Sequence, residues 1–171
     1  FGTGNNVGGI VGTNAGTVSS VFNTIMTATG ENQSVTGASN VGGLIGYNTG
    51  TLKDAYNTTH VDGTSNIGGL IGKNAGTLST AYNTGSAANG IVGTGDIGTN
   101  VYDVTNDTDK NNKDTYQGFD FTGTETDDYV WKIYEGQSSP WLKVFLTDAA
   151  YNGDNEFTYN GTAHGGADGT I

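Results

Sequence analysis

One motif occurs three times, and its spacing limits the fold more than any other feature of the chain. NVGGIVGTNAGTVSSVFNT begins at Asn6, NVGGLIGYNTGTLKDAYNT at Asn40 and NIGGLIGKNAGTLSTAYNT at Asn66. In each copy the aromatic residue stands sixteen positions after the first asparagine: Phe22, Tyr56 and Tyr82 (22 − 6, 56 − 40, 82 − 66). The copies start 34 and then 26 residues apart (40 − 6, 66 − 40), in the range of periods that marks solenoids, propellers or arrays.

Within a copy, short apolar runs at 41–45, 52–56 and 60–62 alternate with glycine and Asn/Thr punctuation. None is long enough for a helix, none has 3.6-residue spacing, and glycine is too frequent for helix interiors. The pattern predicts three short strands per unit. A lone unit cannot bury its apolar side, whereas stacking the next unit about 4.8 Å along an axis pairs every strand and makes a continuous interior. Residues at about 3.3 Å each give a 26-residue unit a contour of roughly 85 Å, one closed turn. A propeller blade needs four strands and about 40 residues, so a parallel β-solenoid fits better. Ile45, Leu52, Val61, Ile71 and Leu78 are expected to point inward, with Val11 and Val18 in the rung before.

Glycine recurs in phase at 8/9, 42/43 and 68/69, at 12, 46 and 72, and at 16, 50 and 76. A phosphate-binding loop would want one copy feeding a helix with a lysine nearby. Three copies without a helix point instead to corners that need φ > 0 or leave no room for a Cβ. Stacking turns the other recurrences into columns. Asn14, Asn48 and Asn74 form one, Phe22, Tyr56 and Tyr82 a second, and Asn23, Asn57 and Asn83 a third, where amides can bond up and down and rings can pack.

The 171 residues carry 6 Lys plus Arg against 17 Asp plus Glu, a net charge of −11. A nucleic-acid partner needs a basic face, and anionic membranes would repel such a chain. With no cysteine there is neither disulfide framework nor thiol chemistry. No apolar run approaches the ~18 residues of a membrane span. Phe1 starts abruptly inside what reads as the tail of an earlier repeat, so a piece of a longer chain is expected.

Three segments are expected along the chain: repeats over 1–103, a polar loop and aromatic capping segment over 104–146, and a linker or the start of a following β module over 147–171. The first repeat has eight extra residues (34 − 26). They are assigned to 25–36, which should bulge from a corner, the place where a solenoid tolerates insertion. Residues 89–103 read as a decayed fourth unit, Gly90 to Thr94 echoing Gly9 to Thr13 and Val101, Tyr102, Asp103 echoing Val21, Phe22, Asn23. The polar run 104–114 contains Asp107, Asp109 and Asp114, but EF-hand spacing from Asp107 fails: Asn112 stands where glycine is needed and Gly118 where the bidentate glutamate belongs. A solvated loop is expected, with a weak Ca²⁺ site over 103–114 left open. Residues 119–145 concentrate aromatics. Alternation at Tyr129, Trp131, Ile133 and at Trp141, Lys143, Phe145 suggests two strands around a turn at 135–140. Their position after the failing repeats suggests a cap over the open end of the core.

The run VGG[IL][IV]GxN, then AGT or TGT, then [AV][FY]NT resembles the GLUG repeat of large bacterial surface and secreted proteins, among them filamentous-haemagglutinin-type adhesins of the two-partner secretion route. VWKIYEGQSSPWLKVF is similar to the block that comes after such repeats, and FTYNGTAHGG to the opening of small β modules strung after them. The resemblance implies an all-β, right-handed parallel β-helix of about four coils with an aromatic C-terminal cap. It also implies a secreted or surface location and a role in adhesion or display. It supplies no catalytic residue, cofactor or metal site.

Three functions compete. The leading one is a non-catalytic adhesin segment contacting glycans or proteins of a host or neighbouring cell through a repeated surface, with flanking modules of the same chain as further partners. The second is a passive stalk. The third is a polysaccharide-active enzyme, which requires carboxylates or a base converging on a groove. Asp54 and Asp62 share one unit but should lie on different sides, and His60 and His164 sit in neither nucleophile nor metal patterns. Thr17, Thr51, Thr77 and Thr24, Thr58, Thr84 form columns that could make a flat ice-binding face, though three rungs are few. Asn32, Asn57, Asn106 and Asn160 open Asn-x-Ser/Thr sequons. Asn57 belongs to a structural column, which leaves Asn32 or Asn106 as the better acceptors.

Overall fold

The computed structural model describes residues 4–24, 34–104, 107–121 and 130–146. Every regular element described between residues 5 and 103 is a strand: β1 (Asn5–Gly8), β2 (Val11–Asn14), β3 (Thr17–Asn23), β4 (Ser34–Thr36), β5 (Ser39–Gly42), β6 (Ile45–Asn48), β7 (Thr51–Asn57), β8 (His60–Asp62), β9 (Ser65–Gly68), β10 (Ile71–Asn74), β11 (Thr77–Asn83), β12 (Val92–Gly95) and β13 (Thr99–Asp103). They stack as parallel sheets in the orders β1-β5-β9, β12-β10-β6-β2, β13-β11-β7-β3 and β4-β8. The register is that of the sequence repeat: Val11 pairs with Ile45 and Ile45 with Ile71, which pairs with Val92. The chain is a β-solenoid, and the decayed fourth unit is a coil of it.

The first two coils have four strands each, not three, and in the third a single bridge of Ala87 to Val61 stands in the fourth position. The apolar run 41–45 is broken because the chain turns at Gly43 and Leu44, where backbone bonds to Gly68 and Leu70 of the next coil continue through the corner. Ser34–Thr36 also departs from the expected bulge: it is the strand β4, paired with β8 from Ser34↔His60 to Thr36↔Asp62. Thr58 bonds Thr24, 2.9 Å between hydroxyls, so the extra residues of the first repeat fall in 25–33, outside the described residues.

The inward set is as expected. Ile45, Leu52, Val61, Ile71 and Leu78 are all buried, and Val11 and Val18 pack half-buried against the same core of Leu44, Ile45, Leu52, Ala55, Leu70, Ile71, Leu78, Ala81 and Val92. A smaller core joins Val41, Val61 and Ile67.

Leu52 and Ala55 both face in, three residues apart, which simple strand alternation forbids. The explanation is the backbone of Asp54, at φ 51 in the left-handed region, with Ser20 (53), Thr80 (47) and Asn100 (54) in the same column. That residue interrupts the pleat, so Lys53 and Tyr56 both face out on either side of it. Asn6, Asn40 and Asn66 (φ 59, 49 and 52) do the same at another corner. Asparagine tolerates this region best; a β-branched residue such as Thr80 is strained there.

The in-phase glycines serve the other purpose considered for them. A Cβ on Gly43 would lie 2.1 Å from the Gly69 carbonyl oxygen, and one on Gly50 2.0 Å from that of Gly16. They are absences of side chain that let coils close up.

The segment after the coils contains α1 (Asp107–Lys110), a 3-10 turn at Lys113–Thr115, β14 (Trp131–Lys132), β15 (Trp141–Leu142) and a second 3-10 turn at Lys143–Phe145. Thus the polar run holds a helical turn, and the second aromatic strand ends at Leu142. β14 and β15 pair antiparallel, Trp131 opposite Leu142. The aromatic cap is formed, but it lies along the flank of the stack. Trp131, Trp141 and Phe145 meet Phe22 of the first coil; Trp131, Phe119 and Tyr116 meet Tyr56 of the second; Tyr116 and Phe119 meet Tyr82 of the third. The reason is the outward aromatic column itself, whose stacked rings give the aromatics of this segment partners for offset and edge-to-face packing.

Candidate binding surfaces

The asparagine columns are internal. Asn14 donates Nδ2–H to Asn48 Oδ1 at 2.8 Å, and Asn48 to Asn74 Oδ1 at 2.9 Å, while Asn48 also reaches the Gly50 and Thr77 carbonyls. In the other column Asn57 donates to Asn83 Oδ1 at 3.2 Å and Asn83 to Asp103 Oδ1 at 2.8 Å. Asn23 leaves that pattern and donates to the Gly43 carbonyl and Thr59 Oγ1. Because Asn57 is fully buried, its sequon is closed to an enzyme in the folded protein; Asn32, Asn106 and Asn160 lie outside the described residues.

A third amide column escaped the sequence reading. Asn66 donates to Asn40 Oδ1 and Asn40 to Asn6 Oδ1, both at 2.7 Å. The signal was present as the first letter of each repeat, but only the left-handed backbone shows why it must be asparagine.

What remains for outside contact is a set of columns that change from rung to rung. One runs Thr13, Tyr47, Lys73, Thr94, with Lys73 Nζ 5.1 Å from the Tyr47 ring centre. Another runs Ser19, Lys53, Ser79, Thr99. Thr17, Thr51 and Thr77 do align. In the second threonine column, however, the hydroxyls are spent on the preceding coil, that of Thr58 on Thr24 Oγ1 and that of Thr84 on the Asn57 carbonyl.

Asp54 and Asp62 lie on β7 and β8, in different sheets, and Asp62 is exposed, accepting from the Gly63 N–H. His60 is exposed and pairs with Ser86 Oγ at 2.7 Å; His164 is outside the described residues. Near the fourth coil, Tyr102, Asp103, Val104, Asp109, Asp114, Thr115 and Gln117 line an open concavity of about 330 Å³. Among the described residues no three His, Cys, Asp or Glu side chains converge closely enough to hold a metal ion, and the Asp107 side chain lies outside them. A neighbouring hollow of about 400 Å³ is bounded by Lys113, Tyr116, Phe119 and Phe121.

The flank cap is anchored by phenols. Tyr56 donates to the Pro140 carbonyl, and Tyr82 to that of Gln117 at 2.7 Å. Burial pushes all three buried tyrosines up, Tyr82 to about 12 and Tyr56 and Tyr116 further, with neighbouring phenols adding to the effect.

Residues 37–61, which run from the corner before β5 into β8, match the GLUG motif family. No curated protein and no solved structure matches the chain. Among the described residues no helix is long and apolar enough to cross a membrane.

Proposed function

We propose that this chain is a non-catalytic segment of an extracellular, adhesin-type bacterial protein, a rigid rod that presents an outer face to glycans or proteins of another cell. The GLUG motif, which occurs in extracellular repeat proteins, supports the setting. The observation that carries the reading is the division of labour in the repeat: apart from the Thr17, Thr51, Thr77 column, what recurs is spent on core, corners, amide columns and the aromatic flank, and what varies faces out. Contacts would therefore come from the mixed Thr, Ser, Tyr and Lys columns, each weak, and gain by multiplication, where avidity adds a factor of about 10²–10⁴. The filamentous-haemagglutinin-type origin, the secreted location and the absence of catalysis belong to the same proposal.

The same division favours a second reading, a passive stalk, since outward residues free of any shared pattern need bind nothing. A binding screen against host glycans and surface proteins separates the two, using the chain as monomer and as a multivalent display, with a Tyr47→Ala, Lys73→Ala variant as control. The adhesin reading expects binding that rises steeply with valency and falls in the variant. Binding to nothing leaves the stalk. A tight one-to-one complex lost on a single substitution refutes both.

A further inference from the structure

The two ends of the stack are built differently, and the difference identifies a partner. At the C-terminal end β12 and β13 are also edge strands, and Ile97 and Tyr102 are half exposed, but the backbone there is interrupted. Asn89 takes the place of a strand beside β9, donating its backbone N–H to the Ile67 carbonyl and accepting the Ile67 N–H on its side chain. Beside β12 and β13, Gly95 and Gly98 turn into the left-handed region (φ 110 and 82), and Asp96 accepts from Gly98. These are devices that blunt an edge.

At the N-terminal end three sets of interactions stop unfinished in one plane. The aliphatic core does: Ile10 is 42% exposed where its equivalents Leu44 and Leu70 are fully buried. So does the aromatic flank: Phe22 stacks on Tyr56 at 5.3 Å and 6°, and Phe145 beside it is 63% exposed. The amide columns do so with a definite polarity. Asn40 and Asn66 each donate to the coil before, so Asn6 Nδ2 is aimed at a preceding acceptor and turns instead to Thr13 Oγ1 of its own coil at 3.3 Å. Asn74 Oδ1 accepts both from Asn48 below and from Gly76, whereas Asn14 Oδ1 accepts from Gly16 alone, with a lone pair left over. Residues 4–24 contain no charged side chain and no proline in a chain of net charge −11, so the edge strands β1, β2 and β3 carry no gatekeeper.

We infer that the N-terminal end is a coil-accepting surface whose partner is a further coil of the same repeat, stacked parallel and in register on β1, β2 and β3. Only such a coil offers an asparagine Oδ1 to Asn6 and an asparagine Nδ2–H to Asn14 at once. A second copy approaching by the same end would wind in the opposite sense, so its strands would meet these antiparallel and the register of the repeat would be lost. A second copy approaching by its other end would present the blunted strands. Residues 4–24 match the roughly 20–30 residues a side of a stable interface.

The test joins a copy of residues 40–65 directly ahead of Asn6 in the otherwise full chain, in place of residues 1–5, which keeps the 26-residue period. The in-register fusion should raise Tm by about 5–10 °C and slow amide exchange at Ile10, Val11 and Val18. A copy shortened by one residue within its strand should do neither, because a one-residue slip turns every side chain over. Ile10→Lys should abolish the gain, and Ile97→Lys, at a residue exposed on the other end, should leave it. A fusion no more stable than its parent overturns the proposal. So does an equal gain from the slipped copy, or an unmodified chain that pairs symmetrically through this end and loses that pairing with Ile10→Lys.

Discussion

At the scale of single residues the repeat separates two jobs that glycine and asparagine usually share. The in-phase glycines exist to leave space, whereas the positive-φ positions in those same three coils belong to Asn6, Asn40, Asn66 and to Ser20, Asp54, Thr80. The letters alone show that both recur but not which is which, because crowding and backbone sign are properties of the stacked object. The amides can be ranked from their bonds. Asn48, fully buried with bonds to Gly50, Asn74 and Thr77 and one received from Asn14, should cost about 1–3 kcal/mol as Asn48→Ala, since its partners are left unpaired. Thr94→Ala, on the outer face, should stay within about 0.5 kcal/mol; urea titration of both reads the contrast. The tyrosines set a pH limit. A phenol whose folded pKa is raised stays neutral in the fold while the unfolded chain ionises above about 10, so stability is complete below about pH 10 and falls as pH rises from there. Tm should hold to about pH 9–10 and then drop, and Tyr56→Phe should flatten the drop even though it loses the bond to Pro140.

At the scale of elements, the seven-residue strands β3, β7 and β11 explain why so much was legible. Their inward residues repeat at fixed distance, so Leu52 and Leu78 could be placed without coordinates. The break at Asp54 could not, and neither could the division of 41–45 into two strands. The aromatic segment shows the opposite case. Its richness in Phe, Tyr and Trp foretold a second core, but where it docks depends on surfaces far away in sequence, and the Phe22, Tyr56, Tyr82 column had already claimed it. Trp131 is the hinge of that docking, stacked on Phe119 at 4.4 Å and touching both Phe22 and Tyr56. Trp131→Ala should cost about 3–5 kcal/mol. Because the coils keep their own pairing, proteolysis within residues 107–146 should speed up while the far-UV β signal persists. Loss of the β signal as well would mean that the flank cap holds the coils together.

At the scale of the whole molecule the stack is quasi-one-dimensional: each coil pairs its strands with its neighbours and only the flank cap spans several coils, so the stability of the coils themselves is close to a sum of coil terms and interfaces. The candidate site was the least legible part for the same reason: apart from the threonines at 17, 51 and 77, outward columns carry no period, and a surface that does not repeat leaves no mark on a repeat. The effect of a core mutation should therefore depend on which coil it strikes. Ile71 is fully buried between Ile45 and Val92, and a charge placed there costs several kcal/mol where the total is about 5–15. Ile71→Asp lies in the third coil, with a neighbour on either side, so it removes two interfaces and should unfold the chain. Val92→Asp introduces the same group in the fourth coil, which has one stacked neighbour. It should release β12 and β13 and leave the first three coils paired. Hydrogen exchange resolves the two cases: global loss of protection for Ile71→Asp, and for Val92→Asp a loss confined to residues 90–104. Equal and complete unfolding by both would show that the four coils fold as one indivisible unit, and the additive description would fail.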